Sequence, residues 1–149
     1  MIALACDQGG FELMGVVRAH LDSKNILYKD FGTFSPDSCH YPEIAVPAAK
    51  AIVSGECDKG IFICGTGIGM SIAANKVPGI RAALCTNEYM ADMARAHNDA
   101  NVLALGGRVL KSDCAIAIVD TFLKTAFSGQ DRHIHRVGLL NAADRSNEE

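Results

Sequence analysis

Three observations predict an α/β protein built in three layers around a five-stranded parallel sheet, with an extra helix at the C-terminus. Short apolar runs that read as strands alternate with stripes of helical period along all 149 residues. Polar or glycine-bearing turns separate the runs, and glycines follow the first, third and fifth of them. Five such strand–helix units in sequence place helices on both faces of one sheet, because crossovers between parallel strands share one hand.

The elements follow in order. Ile2–Cys6 is the first strand, ending at Asp7 and the turn Gly9-Gly10. Leu13, Val17 and Leu21, with Met14 beside them, share one face of a helix over 11–22. The polar turn Ser23-Lys24-Asn25 leads into a second strand over 26–31. The polar segment from Gly32 to Tyr41 is long for a connection in this architecture, which hints at function. Ala45, Ala48, Ala49, Ile52 and Val53 form the next helical stripe. Proline fits a first turn only, so Pro47 predicts a late start for that helix.

The third strand covers 61–64 and its helix runs to Lys76. Pro78-Gly79 turns the chain into a fourth strand over 81–85. Thr86 is expected to cap a helix with Met90, Met93, Ala94 and His97 on one face. The fifth strand covers 102–105. A helix begun by Ser112 is expected to bury Ile116, Val119 and Leu123. The last segment, 132–145, reads as a charged helix with Val137, Leu139 and Leu140 as its apolar content.

The length fits one domain over 1–149 with a sizeable core. A net charge of −3 and the lack of a basic run argue against nucleic acid as a partner. No apolar stretch approaches the roughly eighteen residues of a membrane span, and the N-terminus carries no signal pattern, so a cytoplasmic protein is expected. Six cysteines occur without a C-x-x-C pair, which fits reduced thiols, mostly core filler. Closely spaced Cys and His ligands are missing and His133-Ile134-His135 is too little for a site, so no metal is expected. The glycines match neither the dinucleotide spacing nor a nucleoside-triphosphate loop, so no cofactor is implied.

The segment Gly60-Ile61-Phe62-Ile63-Cys64-Gly65-Thr66-Gly67-Ile68-Gly69-Met70-Ser71 carries the chemistry. It reads as strand, tight turn and helix. Such a turn presents backbone N–H groups to an anion or a developing oxyanion, and a thiol in the same positive field is favoured as thiolate. Ligands of parallel sheets bind beyond the strand carboxyl ends, which here carry Asp7, Cys64-Gly65 and Gly106-Gly107-Arg108. Asp7 and Gln8 suit sugar hydroxyls, although an acid after the first strand also suits a helix cap. His97, amid the polar cluster Asn98, Asp99 and Asn101, can move a proton near neutral pH. Arg132 and Arg136 lie one helical turn apart and, with Arg108, suit phosphate. A thiol base, an oxyanion turn, a histidine and arginines together describe proton transfer beside a carbonyl in an anionic substrate. An aldose–ketose isomerase acting on a sugar phosphate needs that set. A non-catalytic binding protein on the same fold is the rival from another class, and Cys64, His97 and the arginines speak against it.

Several pieces, in order along the chain, resemble one family. They are 6–10 (Cys-Asp-Gln-Gly-Gly), Tyr41-Pro42, the run from Ile63 to Lys76, His97-Asn98-Asp99-Ala100-Asn101, Gly106-Gly107-Arg108-Val109, and Arg132-His133 with Arg136-Val137. The sequence is similar to the ribose-5-phosphate isomerase B group, which includes galactose-6-phosphate and allose-6-phosphate isomerases. The resemblance implies a Rossmann-like fold, a homodimer or dimer of dimers with active sites shared between subunits, and no metal or cofactor. It implies Cys64 as the base between C1 and C2, Thr66 beside it, and His97 as the group that opens the furanose ring. Asp7, Gln8, Tyr41 and Asn98 would contact the sugar, Gly65, Gly67 and Gly69 would line the anion cradle, and Arg108, Arg132 and Arg136 would hold the phosphate. Two positions depart from the family pattern: Gln8 stands where histidine is usual, and His40 where Asp often precedes Tyr-Pro. Both lie near the expected substrate and bear on the identity of the sugar, pentose 5-phosphate or a six-carbon 6-phosphate.

Overall fold

Ile2, Leu4 and Cys6 alternate with Ala3 and Ala5 along the first strand, and in a pleated strand such residues face opposite sides of the sheet. That alternation sets the layers. The computed structural model describes residues 1–145. Its strands are β1 (Ile2–Cys6), β2 (Tyr28–Asp30), β3 (Lys59–Cys64), β4 (Ala82–Leu84) and β5 (Val102–Gly106). Its helices are α1 (Phe11–Ser23), α2 (Tyr41–Val53), α3 (Ile68–Asn75), α4 (Glu88–Ala96), α5 (Ser112–Lys124) and α6 (Asp131–Arg145). All strand pairs are parallel, in the order β2-β1-β3-β5-β4. This is the predicted three-layer α/β architecture. No described helix is long and apolar enough to cross a membrane.

On one face, Leu4, Ile61, Ile63, Leu103 and Leu105 pack against α1, α4 and α5 through residues such as Met14, Ala94 and Phe122. On the other, Ala3, Ala5, Phe62 and Cys64 meet the alanine-rich sides of α2 and α3, including Ala45, Ala49, Ala74 and Met70. Small side chains on both partners let α2 and α3 lie close over the sheet, and Cys64 belongs to this side. Full burial of large side chains such as Phe62 and Leu4 stabilises by about 1.5–3 kcal/mol each, so the strands that carry the site ends are rigid supports.

Local expectations are corrected in five places. The second helix starts at Tyr41 with Pro42 in its first turn, and Pro47 sits inside it. Pro47 and Glu43 share an exposed face, so the carbonyl left without an N–H partner is on the solvent side. Asn87, not Thr86, caps α4: its Oδ1 accepts the Met90 N–H at 2.8 Å. The buried face of α5 is Ala115, Ile118, Val119 and Phe122, while Ile116 and Leu123 pack at its margin. On α4 the buried side is Ala91, Ala94 and Arg95, and Met90 and His97 are exposed. Arg95 can be buried because it donates to the Ala100 carbonyl at 2.6 Å and to Asp99 at 2.9 Å, with its guanidinium 5.8 Å from the Phe122 ring centroid. The edge strands β2 and β4 are also shorter than expected, three residues each.

Candidate active site

The strand order makes β1, β3 and β5 consecutive neighbours, and their carboxyl ends interlock. Asp7 N–H donates to the Ile63 carbonyl at 3.2 Å, Gly107 N–H to Cys64 O at 2.8 Å, and Arg108 N–H to Gly65 O at 2.9 Å. Asp7 is buried, and its Oδ1 accepts from the N–H groups of Gly9 and Gly10 at 2.8 and 3.2 Å. It ties the turn before α1 rather than capping the helix, whose N-cap is Gly10. An open cleft of about 430 Å³ above these ends is lined by Asp7, Tyr41, Cys64, Gly65, Thr66, Gly69 and Arg108, with Ile68 and Ile72 on its rim.

Cys64 sits at the base of this cleft with 5% of its surface exposed. The Gly67 N–H donates to its sulfur at 3.1 Å. That bond needs the chain to reverse sharply into α3, and Gly67 does so at φ 80°, a left-handed conformation that favours glycine. The first intrahelical bond of α3 is Ser71 N–H to Gly67 O at 3.0 Å, which leaves the preceding amides without intrahelical acceptors at the positive end of the helix. Gly69 is required for another reason: a Cβ there would lie 2.8 Å from Tyr41 Cζ, so the tyrosine ring lies directly on the start of α3. The thiol is therefore flanked by an anion cradle and a phenol. Among the other thiols, burial pushes Cys6 up to about 12 and Cys85 up to about 11, and also raises Cys57.

Gln8 does not line the Cys64 cleft. It lies in an adjoining hollow of about 460 Å³ with Phe11, Glu12 and Pro36, and Arg108 borders both. Its amide oxygen accepts the Cys39 N–H at 3.1 Å, which ties it to the long loop before α2.

The remaining expected residues form a second group elsewhere. His97 ends α4, Asn98 follows, and the chain reaches Asn101, whose carbonyl accepts the Gly60 N–H at the start of β3. Helices of a parallel sheet run antiparallel to its strands, so His97 and Asn98 lie at the edge opposite Cys64. From Gly60 to Cys64, at roughly 3.3 Å per residue, the gap is about 13 Å. Arg132 and Arg136 are exposed on α6, whose opposite side, with buried His133 and Val137, docks on the body of the molecule. The three arginines expected to act together are thus divided, Arg108 with Cys64 and the other two with His97.

His133 also belongs to this second group, although the sequence reading assigned it no role. Its ring lies 4.2 Å from that of His97 and its Nδ1 is 2.6 Å from Ser128 Oγ. Burial first, then the neighbouring His97, Arg132 and Arg136, hold it below the usual histidine range. The signal available was its place beside Arg132 in a helix with few apolar residues. Asp99 and Asn101, read as part of a functional cluster, are structural: Asp99 pairs with Arg95 and Arg81, and Asn101 binds the Arg81 N–H and the Gly79 carbonyl. Among the described residues no group of three or more His, Cys, Asp or Glu side chains is placed to hold a metal ion.

Known proteins carry the same fold and pattern. The model of the ribose/galactose isomerase family matches residues 2–140. Ribose-5-phosphate isomerase B of Escherichia coli is 45% identical over 144 residues, 97% of this chain and 96% of the relative. A 4-deoxy-4-sulfo-D-erythrose isomerase of a Clostridium species is 41% identical over 128 residues, 85% of this chain and 80% of that one. The structure of Clostridium thermocellum ribose-5-phosphate isomerase B superposes with a TM-score of 0.96 at 51% identity, covering 98% of both chains. That of the Mycoplasma genitalium enzyme, with bound ribulose 5-phosphate, superposes with a TM-score of 0.91 at 39% identity, covering 97% of this chain and 95% of that one. With the family model matching residues 2–140 and these relatives matching nearly its whole length, the chain belongs to the ribose/galactose isomerase family of aldose–ketose isomerases.

Proposed function

We propose that the protein interconverts an aldose phosphate and its ketose through an enediolate, with Cys64 as the base. The observation that carries this reading is the Cys64 sulfur at the base of an open cleft, held by the Gly67 N–H at 3.1 Å beneath the first amides of α3. The thiolate takes the proton from C2 of the open-chain aldose. Charge moves to the C1 oxygen, and the amides around Gly65, Gly67 and Gly69 receive it. The C2 hydroxyl passes its proton to the C1 oxygen, and the proton held on the Cys64 sulfur is delivered to C1 as the C2 oxygen becomes the carbonyl, giving the ketose. Thr66 lines the cleft beside the thiol, and Asp7 and Tyr41 hold sugar hydroxyls. Backbone dipoles carry the developing charge, so the step calls for no metal or cofactor.

The ring must open first, and His97 is the group for it. In a furanose the ring oxygen is bonded to C1, so ring-opening acid and C2 base must meet within a few ångströms. His97 and Cys64 of one chain are separated by about 13 Å or more along the strand direction. We therefore assign each site to two chains, with Cys64, Asp7, Tyr41, Thr66 and Arg108 from one and His97, Asn98, Arg132 and Arg136 from its partner. The arginines bind the phosphate.

A pentose 5-phosphate is the first substrate to test, on the names of the relatives. A six-carbon 6-phosphate is the second, because Gln8 offers only neutral donors and acceptors, one already engaged by Cys39. The deciding experiment is an aldose-to-ketose assay on ribose, allose and galactose phosphates with wild type and Cys64→Ala. Cys64→Ala should lower kcat by at least about 100-fold without loss of fold. Iodoacetamide should inactivate at one thiol, with substrate protecting it. Near-normal turnover by Cys64→Ala would overturn the mechanism.

A further inference from the structure

Polar groups that the proposed chemistry leaves unused connect its histidine segment to its arginine helix. Arg81 precedes the edge strand β4 and is anchored there: its own N–H donates to Asn101 Oδ1 at 2.8 Å. The next residue, Ala82, is fixed through both backbone groups by the Asn75 side chain, at 2.8 and 3.0 Å. From this base the Arg81 guanidinium reaches in two directions. Nε donates to the Asn98 carbonyl at 3.1 Å, and Nε and Nη2 donate to the Asp99 carbonyl at 3.2 and 2.9 Å. Nη1 donates to Asn141 Oδ1 on α6 at 3.0 Å.

One planar fork therefore grips the backbone just after His97 and also holds the helix that carries Arg132 and Arg136. A cavity of about 420 Å³, bordered by Arg81, Asn98, Leu140, Asn141 and Asp144, lies between them. Among the described residues, two polar links span it, Arg81 to Asn141 and the Gly79 N–H to Asp144 Oδ2 at 2.8 Å.

We infer that Arg81 is a positioning residue that fixes the span from the His97–Asn98 pair to Arg132 and Arg136, and through it the length of sugar phosphate accepted. The inference rests on the proposed roles of those four residues. As open chains, a 5-phosphate and a 6-phosphate differ between C1 and the phosphate by one C–C bond, roughly 1.5 Å. Misplacements of about 1 Å are enough to change rates strongly. A link that locks α6 by a rigid guanidinium selects one length, whereas a looser helix accepts both less discriminately.

Asn141→Leu cuts only the arm to α6 and leaves the Arg81 contacts to Asn98 and Asp99 in place. Asn141→Asp keeps the acceptor, and Arg81→Lys keeps charge but loses the fork. Kinetics on ribose 5-phosphate and allose 6-phosphate, with an inhibition constant where a sugar binds without turnover, read the effect. Asn141→Leu should raise KM for the preferred sugar at least about fivefold with kcat within about twofold. It should also shift the preference between the sugars at least about fivefold, and Asn141→Asp should restore it. Arg81→Lys should shift it in the same direction. An unchanged preference, or equal losses on both sugars with a lowered melting temperature, would overturn the positioning role. His97→Ala and Arg136→Ala separate the two levels of the argument. If both retain full turnover, the proposed function fails; if they lose it while preference stays fixed in the Asn141 and Arg81 variants, only the role of Arg81 fails.

Discussion

Two variants that are inactive alone should regain activity when their subunits mix. On the proposed mechanism, Cys64→Ala removes the base from one half of the site, and His97→Ala removes the ring-opening group from the other. Within one chain these groups lie toward opposite ends of the strands, as the pairing of Gly60 N–H with the Asn101 carbonyl at 2.9 Å requires. Random exchange of two variants at equal concentration makes about half of all dimers hybrids. In each hybrid one site carries both defects. The other takes its intact Cys64 from the His97→Ala chain and its intact histidine from the Cys64→Ala chain. Half the sites in half the dimers gives about one quarter of wild-type activity.

The assay is aldose-to-ketose turnover before and after exchange, with hybrid formation verified by a charge tag on one variant. A second mixture is the internal control. His97→Ala with Arg136→Ala places both defects in the same half, so every hybrid site retains one of them and activity should stay at the level of the parents. No recovery in the first mixture, after verified exchange, would refute the divided site. Equal recovery in both mixtures would refute the assignment of His97 and Arg136 to one half.

Two other outcomes follow from the geometry. Gly69→Ala places a methyl 2.8 Å from Tyr41 Cζ and within 3.1 Å of two other ring carbons, so the ring, 36% exposed, must swing off α3. Alanine favours the helix by about 1 kcal/mol over glycine; the melting temperature should hold or rise while kcat/KM falls at least about tenfold, and unchanged kcat/KM would remove Tyr41 from the site. His133, held below its ordinary 6.5 by burial and by His97, Arg132 and Arg136, takes up a proton more readily in the unfolded chain. Its contribution to stability is present above pH 6.5 and is lost as pH falls through the lowered folded value. Urea midpoints at pH 7.5 and 5.5 should therefore differ more for wild type than for His133→Phe, and equal differences would refute it.

What could be read from the sequence, and what could not, divides along physical lines. Strand ends were legible because apolar runs stop at Asp7, at Cys64 and before Gly107, and the sheet then brings these ends together. The face of α4 was misjudged because an arginine reads as exposed. Arg95 is 7% exposed, its charge met by Asp99 and backbone carbonyls, and its burial turns Met90 and His97 outward. Pro47 misled by the same kind of rule: a proline inside a helix is tolerable where the orphaned carbonyl faces solvent. Residue types named the chemistry of Cys64, His97 and the arginines as a set. They did not say that the set is split, although the antiparallel run of α4 against its strands requires His97 to lie far from Cys64.

The split has an energetic counterpart at the rim of the cleft. Ile68 and Ile72, one helical turn apart on α3, are 52% and 56% exposed beside the thiol. On α6 the residues at i, i+4 and i+7 from Arg132, namely Arg136 and Leu139, turn away from the body, and Leu139 is 59% exposed. Covering half of an isoleucine is worth on the order of 1 kcal/mol, so the apolar rim favours a second chain at the point where the chemistry needs one. On the divided-site reading a second chain would also displace water from the cleft, and in a drier cleft the amide dipoles around Gly65, Gly67 and Gly69 would act more strongly on a developing oxyanion. On the divided-site reading, assembly and catalysis therefore share one contact. A substitution that weakens the rim, such as Ile72→Asp, should therefore lower turnover and the fraction of dimer in sedimentation together, even though no group proposed to touch the sugar has changed.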